Sequence, residues 1–336
     1  MLAETFSFSP RGRPLIGFGH YASVIDINGP SALALATDTI GTKALIAQSL
    51  GKFDTVGIDC VAMNANDIVC VGAEPVAMVD CMAVETMGES FLAEIAIGLR
   101  EGARRARISI PGGETACVPE MLRGLAEGRA FDLGGTCVGL VEAERILTGA
   151  SVAPGDTLVG FASSGIHSNG FTFARRAFAA AEWTLGRHVE DFGRTLGEEL
   201  LEPTTIYVDL ALALLEKLEV RALFHITGDG FLNLRRLESQ IGFEVEALPE
   251  APAIFAVLQS LSSLDPAAMY AEYNMGVGFC VVVPEAEADQ AIMLGQENGV
   301  HGWRVGTAIA SATREITIHV EGANLRSEGN RFLEVP

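Results

Sequence analysis

The segment Asp38-Thr39-Ile40-Gly41-Thr42-Lys43 combines groups that could bind a metal–phosphate ligand. A carboxylate suits Mg²⁺, which is held through oxygen ligands, and a lysine suits phosphate as a point charge. Gly41 would let backbone N–H groups approach the ligand. The spacing is not that of a Walker P-loop, so an ordinary glycine turn with a solvated Asp38 and Lys43 is the alternative interpretation.

Two further acidic segments could complete such a site. Asn64-Ala65-Asn66-Asp67 lies in an otherwise apolar helical pattern, where a buried unpaired carboxylate would be costly, so Asp67 is predicted to share a metal with Asp38. Pro111-Gly112-Gly113-Glu114-Thr115 follows a short apolar run, and its glycines permit a tight turn that presents Glu114. The alternatives are a helix cap or internal hydrogen-bond cluster for the first segment and a plain turn for the second.

Two histidines occur in matching contexts, each between an apolar strand and a glycine turn. His167 lies in Ser163-Ser164-Gly165-Ile166-His167-Ser168-Asn169-Gly170, and His225 begins His225-Ile226-Thr227-Gly228-Asp229-Gly230. A following helix N-terminus could hold phosphate, and a histidine could exchange a proton with a reacting group. A histidine that only caps or packs is the alternative for each.

Hydrophobic periodicity predicts the elements that must position these residues. The predicted elements form two series along the chain, each with strands and helices mixed, which favours an α+β fold over a doubly wound sheet. The segment around residue 144 separates the series, so we predict domains at 1–143 and 144–336. The first series comprises strands at about 31–37, 75–84, 108–110 and 133–142 and helices at about 54–72 and 89–106; the second comprises strands at about 156–162, 222–226, 242–248, 277–283 and 303–308 and helices from about 168, 204 and 230.

Composition limits the classes of partner. A net charge of −20 repels nucleic-acid phosphate and anionic lipid, whereas a small phosphorylated ligand can still bind where local donors or a metal reverse the sign. The six cysteines form no C-x-x-C pair, which argues against a zinc site or a disulfide framework. The first residues lack an apolar leader and no run approaches membrane-helix length, so we expect a cytoplasmic protein.

The ordered motifs DTIGTK, MNANDIVCVGAEP, IPGGETA, SSGIHSNGF, EPTTIYV, HITGDGF and YNMGVGF resemble those of the aminoimidazole ribonucleotide (AIR) synthetase family, from about residue 35 to 308. The resemblance implies a two-domain AIR synthetase-like α+β fold. In that fold an N-terminal domain with a mixed or antiparallel sheet dimerises and binds ATP and metal, and a C-terminal α+β domain carries the substrate side.

The resemblance also implies an activity and residue roles. ATP phosphorylates the formyl oxygen of formylglycinamidine ribonucleotide, after which an amidine nitrogen closes the imidazole ring and phosphate leaves. The expected cofactors are ATP and Mg²⁺, and the expected partners are the ribonucleotide and a second copy of the chain. The implied sites are Asp38, Asp67 and Glu114 for Mg²⁺; Asp38, Thr42, Lys43, Asp67, Gly113, Glu114 and Thr115 for ATP; Ser164, Ser168 and Asn169 for the substrate; and His167 and His225 for catalysis.

Two departures from the family pattern bear on these roles. The segment before Asp38 is shorter than usual, which predicts a shortened ATP lid, and Asp229 replaces the second glycine of the family's HITGGGF. Two other functions therefore stay open: a thiamine-monophosphate kinase-like ATP enzyme, and a nucleotide-binding paralogue without catalytic activity.

Overall fold

The computed structural model describes residues 2–8, 11–262 and 264–335. The α-helices are α1 (Lys43–Leu50), α2 (Val56–Cys70), α3 (Glu89–Ala106), α4 (Phe171–Ala180), α5 (Leu196–Leu200), α6 (Val208–Lys217), α7 (Ala253–Leu261), α8 (Pro266–Glu272) and α9 (Ala288–Glu297). The strands are β1 (Ser23–Asp26), β2 (Ser31–Thr39), β3 (Glu74–Val84), β4 (Ser109–Cys117), β5 (Phe131–Glu142), β6 (Thr157–Ala162), β7 (His188–Val189), β8 (Arg194–Thr195), β9 (Ala222–His225), β10 (Ile241–Val245), β11 (Val277–Val283), β12 (Gly302–Ala310), β13 (Ile316–Val320), β14 (Ala323–Glu328) and β15 (Arg331–Val335).

The first sheet has the order β1-β2-β5-β3-β4 and is mixed, because only β3 and β4 run parallel. Helix α2 covers one face of this sheet and α3 packs on α2. The two helices approach so closely that a Cβ at Gly57 would lie 2.1 Å from the backbone nitrogen of Leu99. Glycine is therefore required at position 57, and the apolar face of α2 can bury against the sheet.

The second sheet has the order β15-β14-β13-β10-β12-β6-β11-β9, with β10 and β13 as its parallel pair. Helix α2 also contacts β9 and α6, so it lies between the two sheets. The predicted two-domain α+β architecture with mixed sheets is confirmed. Among the described residues, no helix is both long and apolar enough to span a bilayer.

Two local predictions were wrong. The segment 111–115 is not a turn after a short strand, because β4 continues through it, paired with β3. The segment after residue 229 forms a 3₁₀-helix, Gly230–Arg235, rather than an α-helix. Strands β13, β14 and β15, which extend the second sheet, and helices α1, α7, α8 and α9 were not predicted.

Candidate active site between the two sheets

Asn64 of helix α2 fixes the backbone at the end of β2. Its Oδ1 atom accepts a hydrogen bond from the backbone N–H of Asp38 at 2.9 Å, and its Nδ2 donates to the Asp38 carbonyl at 3.2 Å. Nδ2 also donates to the Cys60 carbonyl within α2 at 2.8 Å. This two-way contact, made by a fully buried amide, determines where the Asp38 carboxylate lies relative to the helix.

Asp67 lies one turn further along α2 and contacts the second sheet. Its Oδ1 is 2.9 Å from Nδ1 of His225, which ends β9. Asn66 Nδ2 lies 3.3 Å from the other ring nitrogen of His225, and that amide is oriented because Nδ2 also donates to the Thr205 carbonyl and Oδ1 accepts from the Tyr207 N–H. His225 Nε2 is therefore the acceptor, and the Nδ1 proton points at Asp67.

The Asp38 and Asp67 carboxylates share one electrostatic environment. Burial raises the pKa of Asp38 above its ordinary value, a hydrogen bond from the Thr39 N–H lowers it, and the charge of Asp67 raises it further. The positive charge of Arg236 acts in the opposite direction. A desolvated carboxylate beside a second one is stabilised by a bound cation, so the pair fits Mg²⁺ with its preference for oxygen ligands.

Glu114 does not join this pair, which corrects the predicted three-carboxylate metal site. Asp38 and Asp80 both pair with Gly135, so these residues lie in one row across the sheet. Glu114 instead pairs with Cys81, which follows Asp80 in β3. Successive residues of a strand face opposite sides, so Glu114 lies on the face away from α2. Among the described residues, the only group of three or more carboxylate, histidine or cysteine side chains compact enough to share one ion is Glu244, Glu246 and His319, on the second sheet. Gly113 and Thr115 occupy the same edge strand as Glu114.

Lys43 is fully buried and does not face the cleft, in contrast to its predicted phosphate contact. Its Nζ donates to Asp59 Oδ1 at 2.8 Å and to the carbonyls of His167 at 3.0 Å and Glu202 at 2.6 Å. All three ammonium protons are used, so none is left for a phosphate. Thr42, by contrast, is exposed before α1, with its hydroxyl 3.3 Å from that of Thr172.

The loop 163–170 is packed around the Lys43–Asp59 pair. Ser168 Oγ donates to Asp59 Oδ1 at 3.2 Å, and Ser164 Oγ donates to the Pro203 carbonyl at 2.6 Å. Both hydroxyls predicted to contact substrate are thus engaged within the protein. Asn169 differs, because its Nδ2 atom is buried and has no acceptor within residues 2–8, 11–262 and 264–335.

His167 is 2% exposed and adopts a left-handed conformation with φ 60°. Its Nε2 accepts from the Ser164 N–H at 3.2 Å, and its Nδ1 has no partner in the part of the chain that the structure describes. Burial lowers the pKa of His167 well below its ordinary value, and the positive charge of Lys43 lowers it further. His167 is therefore a neutral residue that shapes the loop, and His225 is likewise buried, behind Asp67. Both histidines were predicted to act in catalysis, but neither ring faces the cleft.

The two histidine loops meet at a glycine. A Cβ at Gly228 would lie 3.2 Å from Asn169 Oδ1, so residue 228 allows the loops to approach. Asp229, the departure from the family pattern, has φ 72°, a conformation that glycine adopts freely and aspartate tolerates better than most residues. Its side chain is 70% exposed and lies 3.8 Å from Arg236, so it points out of the packed loop.

Several residues of this region were not singled out from sequence. Asp59 and Thr204 organise the buried network around Lys43, and their only sequence signal was polarity within apolar segments. Arg236 gave no signal, because an arginine near the end of a helical turn resembles an ordinary surface residue.

Two family profiles match the chain. Residues 19–141 match the AIR synthase related protein N-terminal domain, and residues 153–319 match the corresponding C-terminal domain. Together these ranges cover most of the sequence and follow the division into two sheets.

Two relatives that are similar in sequence over most of their length carry the same enzyme name. The chain is 44% identical to a phosphoribosylformylglycinamidine cyclo-ligase of Methanosarcina acetivorans, over 92% of this chain and 89% of that one. It is 47% identical to the protein of the same name from Thermococcus kodakarensis, over 86% and 84%. The solved thiamine-monophosphate kinase of Stenotrophomonas maltophilia K279a shares the fold, with a TM-score of 0.62 and 20% identity over 95% and 94%.

Proposed function

The chain belongs to the phosphoribosylformylglycinamidine cyclo-ligases of the AIR synthase related family, and we propose that its cleft closes the imidazole ring of aminoimidazole ribonucleotide. The observation that carries the proposal is that Asn64, one turn before Asp67 on α2, hydrogen-bonds the backbone of Asp38, in a chain so similar to these enzymes. The kinase likeness, at 20% identity, shows only the fold and does not favour that alternative.

The reaction couples ATP use to ring closure. The formyl oxygen of formylglycinamidine ribonucleotide attacks the γ-phosphorus of ATP, and ADP leaves. An amidine nitrogen then attacks the activated formyl carbon, the carbon–oxygen bond breaks, and inorganic phosphate departs with that oxygen as the nitrogen loses a proton. The net products are aminoimidazole ribonucleotide, ADP and phosphate.

Asp38 and Asp67 are proposed to hold Mg²⁺, which would neutralise charge on the transferred phosphoryl group when bound. His225 is a positioning residue on this proposal, because its Nδ1 proton fixes one oxygen of Asp67 and leaves the other available. The Asp67 side chain is 16% exposed while His225 is fully buried, which supports direct contact by the carboxylate rather than by the ring.

The remaining contacts divide between the two substrates. Thr42, exposed before α1, is proposed to bind an ATP phosphate, and Asn169 is proposed to recognise the amide or phosphate of the ribonucleotide through its free Nδ2. Gly113, Glu114 and Thr115 remain proposed ATP contacts from the edge strand β4, without a metal-ligand role for Glu114. We place the division between the ATP-binding and substrate domains at residues 143 and 144.

We also propose a homodimer formed through the open face of the first sheet. This face carries apolar side chains in register on β2, β5 and β3, including the paired Leu33 and Leu140. Leu140 is 43% exposed and Val79 is 44% exposed. Contiguous exposed apolar surface on a sheet favours a protein partner, and an identical sheet is a complementary one.

Substrate-dependent ADP release tests the enzyme assignment. Purified protein with Mg-ATP is expected to release ADP only when formylglycinamidine ribonucleotide is added, with one aminoimidazole ribonucleotide formed per ADP. Thiamine monophosphate is the matched alternative substrate. ADP release with thiamine monophosphate, or nucleotide binding without any turnover, would refute the cyclo-ligase proposal.

A further inference from the structure

The proposed site needs a positive group that the sequence did not identify. ATP and a ribonucleotide both carry phosphate, the chain has a net charge of −20, and the ammonium of Lys43 is enclosed by Asp59 and two carbonyls. Mg²⁺ at Asp38 and Asp67 would contact only part of this negative charge. A second cation at the cleft would therefore contribute to binding.

Arg236 is the candidate for this cation. It follows the 3₁₀-helix that begins five residues after His225, and its positive charge acts to lower the pKa of Asp38 against the raising effect of burial. It lines a small cavity together with Cys70 of α2 and Leu223 of β9. Cys70 is three residues after Asp67 and so on the same face of α2, which places Arg236 near the turn of α2 that carries Asp67.

The Arg236 side chain packs on Tyr21 and is partly exposed to solvent. Its guanidinium carbon lies 4.9 Å from the centre of the Tyr21 ring, a stacking arrangement typical of arginine and aromatic residues. Tyr21 itself lines the same cavity between α2 and β9. The side chain of Arg236 is 34% exposed, and its ion pair among the described residues is the 3.8 Å contact with the largely exposed Asp229.

We propose that Arg236 is a phosphate-binding residue of the cleft, and that Tyr21 positions its guanidinium by stacking. This proposal rests on the proposed function for the identity of the phosphate, which is either the ATP polyphosphate or the 5′-phosphate of the ribonucleotide. A planar guanidinium binds phosphate oxygens through two parallel N–H donors, which a buried lysine cannot do.

Binding measurements on Arg236→Gln distinguish the two phosphates. Titration calorimetry is performed with MgADP, with formylglycinamidine ribonucleotide, and with the riboside that lacks the 5′-phosphate. We expect roughly ten- to hundredfold weaker binding of the phosphate ligand that Arg236 contacts. Weaker MgADP binding assigns the ATP polyphosphate, and loss of the preference for ribonucleotide over riboside assigns the 5′-phosphate.

Arg235→Gln is the matched control, because Arg235 has the same charge and adjoins Arg236 but contacts the carbonyl of Gly329 instead. It is expected to change each affinity less than threefold. Arg236→Lys retains the charge but not the two parallel N–H donors of the guanidinium, so it is expected to bind with intermediate affinity. This variant replaces Arg236→Gln in the binding measurements if Arg236→Gln does not fold. Equal affinities in wild type, Arg236→Gln and Arg236→Lys would overturn the proposal.

Tyr21 variants test whether this ring positions the guanidinium of Arg236. Tyr21→Leu removes the stacking ring and is expected to weaken the same ligand about three- to tenfold, while Tyr21→Phe is expected to restore wild-type affinity. These measurements need no turnover, so a wild-type protein that binds MgADP but forms no product would refute the cyclo-ligase while still testing Arg236. A wild-type protein that binds none of the three ligands would overturn both proposals.

Discussion

His225 Nδ1, at the end of a strand in the second sheet, lies 2.9 Å from a carboxylate oxygen of Asp67, on the helix that packs against the first sheet. This contact is one of several that join the two halves of the chain, and it lies at a residue proposed to bind metal. Because Asn66 occupies the other ring nitrogen, the histidine has one orientation. The position of the Asp67 carboxylate therefore depends on how the two sheets are packed.

Asp67→Asn should separate the charge of this residue from its hydrogen bond. The amide oxygen can still accept the His225 proton, so we expect the thermal unfolding midpoint to change by only a few degrees. Loss of a metal-ligand charge should lower turnover roughly a hundredfold or more. Steady-state ADP release measures the effect, and Asp289→Asn, an exposed acid paired with Arg304, is the control. Undiminished turnover in Asp67→Asn would exclude the ligand role.

Lys43→Met should lower stability rather than nucleotide affinity. The substitution leaves Asp59 as a buried, unpaired charge, for which we expect about 3–5 kcal/mol lower free energy of unfolding. Denaturant titration measures this, and Lys52→Met, at an exposed lysine, is expected to change stability little. Unchanged stability together with weakened MgADP binding would instead restore the phosphate contact that the sequence suggested.

His167 should make stability depend on pH in a defined direction. Burial lowers its pKa in the folded state, so between the folded pKa and the ordinary value of about 6.5 the unfolded chain binds more protons. The free energy of unfolding should therefore fall as pH falls below about 6.5, by up to ~1.4 kcal/mol per pH unit from this group. This contribution is fully present above pH 6.5.

Urea unfolding of wild type and His167→Asn at pH 7.5, 6.5 and 5.5 isolates that contribution. Asparagine tolerates the left-handed backbone at this position and can accept the Ser164 N–H, but it does not titrate. The difference in stability between the two proteins should shrink as the pH falls. Parallel curves would show that His167 is not the neutral buried residue described above.

Leu140→Glu should dissociate the proposed dimer. A charge on the open face of the first sheet opposes the apolar contact on which association depends. Light scattering after gel filtration should give twice the chain mass of 35.5 kDa for wild type and 35.5 kDa for the variant. Met293→Glu, at an exposed apolar residue of α9 outside this face, should remain dimeric. A monomeric wild type would argue against the interface.

Sequence periodicity was sufficient for the succession β2, α2, β3 and α3, because each of these elements has an unbroken apolar pattern. The sequence also singled out Asp38, which lies at the end of β2, and Asp67, which lies on α2, and a metal shared between them stays a prediction. The face of the sheet on which Glu114 lies could not be predicted, because it depends on whether the strand continues past the two glycines. Strand β4 does continue through them. The burial of Lys43 and both histidines depends on packing between the sheets, which local pattern does not encode.

The most direct test of the account follows the formyl oxygen. Formylglycinamidine ribonucleotide labelled with oxygen-18 in its formyl group is incubated with the protein and Mg-ATP, and the inorganic phosphate is analysed by mass spectrometry. The account predicts one labelled oxygen in each phosphate released, in proportion to aminoimidazole ribonucleotide formed. Product formation with unlabelled phosphate and label in water would contradict phosphoryl transfer to the formyl oxygen.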